Sequence, residues 1–161
     1  MGLFNLFKSE KNVEYSENAK GKWTNSAWSN KQHKEITDEY FPQIHDIEEE
    51  WSILYNLKDF SGGRAQDLEK KCIQNIKLYK RMAKIEQLYD ETPPPNAPAF
   101  KRLAMLYEKQ GRYDEATLVC SDALKSGAWG DNMRSRFIRM IKKAGRTPTD
   151  EEIELIKMNK L

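Results

Sequence analysis

The chain has 161 residues, of which 32% are charged and 11% are aromatic, and its formal net charge is +2. That length suffices for one domain with a buried core, and the composition is typical of a solvated helical protein rather than a disordered chain. A net charge so close to zero argues against a general affinity for nucleic acid or anionic lipid. No apolar run reaches the length of a membrane span.

Positive charge is concentrated in the second half of the chain. Residues 92–161 carry 13 basic and 9 acidic side chains, whereas residues 1–91 carry 14 basic and 16 acidic ones. Residues 131–146 alone hold six Lys or Arg side chains and a single Asp. We therefore expect any anionic partner to meet the protein in this segment.

Residues 1–40 are predicted to form a partly irregular N-terminal arm, because isolated aromatic residues are scattered there through a polar sequence. Trp23 and Trp28 are expected to dock on the helical body or on another copy of the chain, since tryptophan is costly to leave in water. The same is expected of four apolar residues near the start, which are Leu3, Phe4, Leu6 and Phe7. The alternative for this short patch is a weak contact with a membrane surface.

A helical hairpin is predicted over residues 44–85. A first helix is expected to begin around residues 29–36, and Pro42 either kinks it or opens the next helix. Apolar side chains then recur at helical spacing on both sides of a break at residues 61–63. Before the break they are Ile44, Ile47, Trp51 and Leu54, and after it they are Leu68, Cys72, Ile76, Tyr79 and Ala83.

Residues 91–96 contain three consecutive prolines and cannot be helical, because proline lacks a backbone donor and favours an extended chain. The segment is predicted to be a stiff connector between two helical units. The alternative is a ligand for a proline-recognition domain.

A second hairpin is predicted over residues 97–128. Two apolar stripes at helical spacing lie on either side of Gly111, where the end of a helix needs a residue that tolerates a positive φ. The stripes are Phe100, Leu103, Ala104 and Tyr107, then Ala116, Val119, Cys120 and Ala123. Asp114 stands near the start of the second helix, where a carboxylate suits the helix dipole.

Residues 97–128 also resemble one 34-residue tetratricopeptide repeat (TPR) when they are counted from Ala97. The matching positions are Phe100, Leu103, Ala104, Tyr107, Gly111, Tyr113, Ala116 and Ala123. Cys120 replaces the usual aromatic residue, and Ala128 replaces the closing proline. The resemblance implies an all-α stack of antiparallel helical hairpins, a fragment of a right-handed α-solenoid. Residues 44–85 look like a degenerate repeat with Gly63 at its turn.

A third half-repeat and a capping helix are predicted over residues 131–160. Asp131 is expected to cap a helix with the apolar stripe Met133, Phe137, Ile141 and Ala144, and Gly145 falls on the repeat's turn glycine. Residues 149–152 form the pattern of a capping box and start a last helix. That helix is expected to cover the open end of the stack; its alternative role is association between copies.

In the TPR family the first helices of successive repeats line a groove that binds a peptide or a partner helix. Carried over by position, this groove comprises Lys101, Met105, Glu108, Lys109, Ser135, Arg139, Lys142 and Lys143. Five of these eight side chains are basic, so the expected partner is an acidic peptide segment or subunit. The alternative is that these residues form an ordinary solvent-exposed surface without a binding role.

The sequence gives little support to a metal site, a catalytic site or a cofactor site. His45 and Glu49 share a helix face as a possible metal pair, but no third ligand is evident and no metal site is predicted. The chain carries no recognisable catalytic or cofactor-binding motif, and we expect a non-enzyme without a cofactor. Cys72 and Cys120 are predicted to be buried, reduced thiols of a cytoplasmic protein.

Two alternative functions remain open. The first is nucleic-acid binding by the basic helix at residues 131–146, through Arg134, Arg136, Arg139, Lys142, Lys143 and Arg146. The second is a structural subunit of a larger or self-associating assembly, in which the chain forms a homo-oligomer.

Overall fold

The computed structural model describes residues 26–158, and all the regular secondary structure within them is helical. A short 3-10 turn, Ala27–Ser29, precedes the α-helices. These are α1 (Lys31–Leu57), α2 (Gly63–Leu88), α3 (Pro98–Lys109), α4 (Tyr113–Ser126), α5 (Met133–Lys143) and α6 (Asp150–Lys157). The predicted all-α class is confirmed for this part of the chain. The predictions for Trp23 and for the apolar residues 3–7 lie outside the described residues.

Helix α1 begins at Lys31, within the range of residues 29–36 that the sequence predicted. Asn30 caps it by accepting a hydrogen bond from the backbone N–H of His33, so residues 31–40 are helical rather than part of an irregular arm. Pro42 lies inside this helix and does not open a new one. The Asn75 amide donates to the carbonyl of Tyr40 at 3.1 Å, which supports the backbone just before the proline.

Helices α1 and α2 pack together as the predicted first hairpin, although the turn is built differently. Gly63 was expected at the turn, but it is the first residue of α2. The positive φ falls instead on Lys58, which ends α1 in the left-handed region with a φ of 52°. The Asp59 carboxylate then accepts a hydrogen bond from the Gly62 N–H at 3.1 Å, so the chain reverses before Gly63 is reached.

Helices α3 and α4 form the second hairpin at the predicted place and pack on each other. Gly111 adopts a φ of 72° between them, as a helix end of this type requires. Both predicted stripes are buried, and the Phe100 ring meets Tyr79 of α2 edge to face at 5.6 Å. The second hairpin therefore shares one core with the first.

The last two helices follow the prediction except at one cap. The N-cap of α5 is Asn132 rather than Asp131, and both residues have a φ of 56°. The Asp131 carboxylate pairs with Lys101 of α3 instead. The capping box at the start of α6 is confirmed, with Thr149 and Glu152 exchanging both hydrogen bonds.

From α1 to α5, each helix packs on the next one along the chain, and two further contacts skip one helix. α1 contacts α3 as well as α2, and α4 contacts α6 as well as α5. The connector at residues 91–96 is not helical, as predicted, and Pro95 accepts a hydrogen bond from the Gly130 N–H at 2.7 Å. This bond ties the connector to the loop before α5.

Trp28 contacts the helical body, as predicted, but it is only partly covered. Its ring lies 4.7 Å from His33 and stacks on Phe41 at 6.4 Å, yet the residue remains 58% exposed.

Within residues 26–158, none of the helices combines the length and the apolar character needed to cross a membrane.

Candidate binding face

The eight residues predicted to line a groove lie on α3 and α5, and most keep contact with solvent. We call the surface that they form the basic face. Lys109, Ser135, Arg139, Lys142 and Lys143 are exposed, and Lys101, Met105 and Glu108 are partly buried. The structure therefore brings the two halves of the predicted set onto accessible parts of two helices.

Glu108 is the centre of the basic face. Its carboxylate pairs with Lys143 at 2.8 Å and with Arg139 at 3.1 Å, and Arg136 approaches at 3.3 Å. These three ion pairs link α3 to α5. One carboxylate opposite three cations leaves an excess of positive charge, and further donors of the exposed Arg139 and Lys143 stay accessible.

The ionisation of Glu108 reflects the same contacts. Partial burial favours its neutral form, but hydrogen bonds from Lys143 and Arg139 outweigh that effect and hold the pKa of Glu108 below its ordinary value. The carboxylate is therefore ionised at neutral pH, and it holds the surrounding cations in place.

Lys101 is less exposed than the other four basic residues of the basic face. Its ammonium lies 3.4 Å from the Asp131 carboxylate, and both side chains are less than one-third exposed. This ion pair joins α3 to the loop before α5. It leaves Lys101 less available to a partner than the other lysines of the basic face.

Lys109 and Lys142 are the most available cations of the face. Lys109 lies over the rings of Tyr55 and Phe60, at 5.8 and 5.6 Å. Lys142 makes no ion pair with any residue between 26 and 158. Neither ammonium group is therefore paired with a carboxylate of residues 26–158, and both remain exposed.

Sequence reasoning missed the contribution of α1 to this region. Arg102 of α3 binds both carboxylate oxygens of Glu48, at 2.9 and 2.5 Å, and its guanidinium lies 5.4 Å from the Trp51 ring centroid. The two partners of the ion pair are 54 positions apart in the sequence, so no local spacing reveals it. It extends the charged surface from α3 onto α1.

Sequence reasoning also missed a buried pair at the start of α1. His33 is fully buried, and its Nε2 lies 2.9 Å from Oε1 of Glu86, which is 2% exposed. Burial raises the pKa of Glu86, while the hydrogen bond and charge of His33 act in the opposite direction. His33 lies among polar residues in the sequence, so no apolar stripe marks it as buried.

The remaining candidates show no site chemistry. His45 and Glu49 are exposed, and the described residues contain no group of three or more side chains that would hold a metal ion. Cys72 and Cys120 are buried free thiols, as predicted, and burial raises the pKa of Cys120 to about 12. A thiol with so high a pKa is a poor nucleophile at neutral pH.

Comparison of the chain with protein-family models, curated proteins and solved structures found no significant match. The resemblance of residues 97–128 to a tetratricopeptide repeat therefore stays a prediction from the sequence.

Proposed function

We propose that this protein is a non-enzymatic adaptor that binds an acidic peptide segment or partner subunit on its basic face. The observation that carries the proposal is the cluster around Glu108, where three cations share one carboxylate. A partner carboxylate would meet Arg139 and Lys143, which are already oriented and about half exposed. Preorganised cations of this kind favour an anionic partner and speed its encounter.

The proposal includes a TPR-like arrangement, in which hairpins α1–α2 and α3–α4 and the half-repeat α5 stack side by side. Contacts of α1 with α3 and of α4 with α6 support it, because such a stack places every second helix in the same layer. Helices α3 and α5 would then line one concave side.

The proposal also includes a cytoplasmic location, which suits two buried thiols that stay reduced there.

Nucleic-acid binding by the helix at residues 131–146 is the weaker candidate. Of its six cations, Arg136, Arg139 and Lys143 pair with Glu108, and Arg146 pairs with Glu152 at 2.8 Å. The chain also carries no recognisable nucleic-acid-binding motif, and its net charge of +2 gives little attraction to a polyanion. Association between copies also stays a prediction; exposed Trp28 and Phe41 are its best contacts.

A charge-reversal variant tests the proposal without disturbing the Glu108 cluster. Lys109→Glu combined with Lys142→Glu changes two exposed cations of the basic face. Lys31→Glu combined with Lys77→Glu makes the same change of charge on exposed positions of α1 and α2. The tagged full-length proteins are purified from their own cells, and the proteins bound to them are measured by quantitative mass spectrometry.

We expect the Lys109/Lys142 variant to recover roughly tenfold less of the bound partner, while the Lys31/Lys77 control recovers as much as the wild type. Circular dichroism should show the same helix content for all three proteins. Equal losses in both variants, or no loss in either, would contradict binding on the basic face.

A further inference from the structure

Three aromatic side chains cluster where α1 ends beside α3. The Trp51 ring lies 6.1 Å from Tyr55 and 6.0 Å from Phe60, measured between ring centroids. Arg102 covers the Trp51 ring, and Lys109 covers the other two. We call these five residues the aromatic corner.

The aromatic corner is firmly held but only partly covered. Trp51 is 5% exposed and belongs to the core, whereas Tyr55 is 53% exposed. The Gln110 amide donates to the backbone carbonyl of Phe60 at 2.6 Å, which fixes the loop after α1 against the end of α3. A ligand would therefore meet an ordered aromatic surface and would not have to order it.

The aromatic corner is continuous with the basic face. Lys109 belongs to both, and it follows Glu108 directly in α3. A ligand that lies across this boundary would meet an accessible aromatic ring at one end and the cations Lys109, Arg139 and Lys143 at the other. Aromatic rings and cations side by side complement a ligand that is apolar at one point and anionic beside it.

We propose that the partner segment places an aromatic side chain on Tyr55 in the aromatic corner and its neighbouring carboxylates on Lys109 and the cations around Glu108. This inference rests on the proposed function and adds the chemistry of the partner to it. Charge complementarity selects an acidic segment, and the exposed ring of Tyr55 selects an aromatic residue within that segment.

Peptide selection followed by measured affinities tests this inference. A library of random twelve-residue peptides displayed on phage is selected against the full chain, and the enriched peptides are sequenced. We expect Trp, Tyr or Phe within two positions of Asp or Glu. The most enriched peptide is then made with a fluorescent label, and its Kd is measured by fluorescence polarisation.

Two variants on α1 give the decisive comparison. Tyr55→Ala removes the exposed ring and should raise the Kd of the labelled peptide roughly tenfold. Leu57→Ala is the matched control, because Leu57 is 63% exposed and lies two positions along the same helix, where its side chain points to another side. We expect the control to change the Kd by less than about twofold.

A peptide in which the aromatic residue is replaced by alanine completes a double-mutant cycle. If that residue packs on Tyr55, the peptide change and Tyr55→Ala should each weaken binding, and together they should cost little more than either alone. Full additivity, or equal effects of Tyr55→Ala and Leu57→Ala, would overturn the inference.

The outcomes also separate this inference from the proposed function. If acidic peptides bind the wild type, lose affinity in the Lys109/Lys142 variant and ignore Tyr55→Ala, the aromatic site is wrong while the acidic partner stands. If the enriched peptides are not acidic, both proposals fail. A dimer in analytical ultracentrifugation that Tyr55→Ala dissociates would assign the aromatic corner to a second copy and overturn the inference.

Discussion

His33 and Glu86 join the beginning of α1 to the end of α2 through a contact that water does not reach. Two further contacts lie beside it. Glu91 accepts a hydrogen bond from the Ala27 N–H at 3.0 Å, and the Asn30 amide donates to the hydroxyl of Tyr89 at 3.2 Å. Together these bonds fix the 3-10 turn and the start of α1 on the end of α2.

Removal of the imidazole should cost more than removal of an ordinary buried side chain. His33→Ala leaves the buried carboxyl of Glu86 without its partner, and we expect a loss of about 3 kcal/mol in the free energy of unfolding at pH 7. The measurement is urea denaturation followed by circular dichroism. His45→Ala is the control; since His45 is exposed, that change should stay within about 0.5 kcal/mol.

The same variant should respond to pH with a definite sign. A raised pKa of Glu86 means that the folded protein keeps a proton which the unfolded chain releases. The contribution of this group to stability therefore declines as pH rises from the ordinary carboxyl pKa through the raised one. Since His33 counteracts that rise, His33→Ala should lose less stability at pH 5 than at pH 7. An equal loss at both pH values would contradict this account of the pair.

The burial of His33 could not be predicted from the sequence, whereas the burial of other residues could. The buried thiols Cys72 and Cys120 were predictable, because each lies in an apolar stripe of helical period. His33 lies among polar residues, and its partner is 53 positions away. Glu108 was predicted as one of the groove residues, but its bonds to α5 span 28 to 35 positions and follow only from the packing of two helices.

At the scale of elements, the turn between α3 and α4 depends on the backbone of a single residue. Gly111 has a φ of 72°, and apart from its own residue and its two chain neighbours no atom lies within 4 Å of the position that a Cβ would occupy. Gly111→Ala should therefore destabilise the protein by about 1 kcal/mol through backbone strain alone, without a steric clash.

A second glycine provides the matched control for that variant. Gly63 also has open space around its Cβ position, but it is the first residue of α2 and has no positive φ. Gly63→Ala should raise the free energy of unfolding by about 0.5 kcal/mol, because alanine restricts the unfolded chain. Urea denaturation of both variants gives the comparison, and a change of the same sign in both would contradict the assigned turn.

These two glycines also show which elements the sequence predicts. Gly111 was identified because apolar stripes of helical period end on both sides of it. Gly63 was placed at a turn by family position, although Lys58 had already ended α1. Asp131 was expected to cap α5, but the N-cap is Asn132 and the Asp131 carboxylate pairs with Lys101. Local patterns therefore predicted that the helices exist, but at these positions they did not identify the residue at which a helix begins or ends.

For the whole molecule, the arrangement of charge matters more than its sum. A net charge of +2 gives little attraction to anions in general. The helices nevertheless collect seven cations against three carboxylates on and beside the basic face. The cations are Lys101, Arg102, Lys109, Arg136, Arg139, Lys142 and Lys143, and the carboxylates are Glu48, Glu108 and Asp131.

The sequence predicted the sign of this surface but not its internal pairing. Counting charges along the chain pointed to residues 131–146 as the positive segment, and α5 does present cations there. The ion pairs with Glu108 and Asp131, and the aromatic corner beside them, needed three helices in their folded positions. Partner chemistry is therefore better defined by the folded surface than by composition.

Mapping of the bound peptide on the full chain tests the central claim most directly. The protein labelled with ¹⁵N is titrated with the most enriched peptide from the library selection, and the shifts of its backbone amides are followed by NMR. We predict that the largest shifts fall on residues 98–109 and 133–143, in α3 and α5, while the amides of α2 stay nearly unchanged. Shifts confined to α2 or α6, with α3 and α5 unaffected, would contradict the assignment of the basic face as the binding surface.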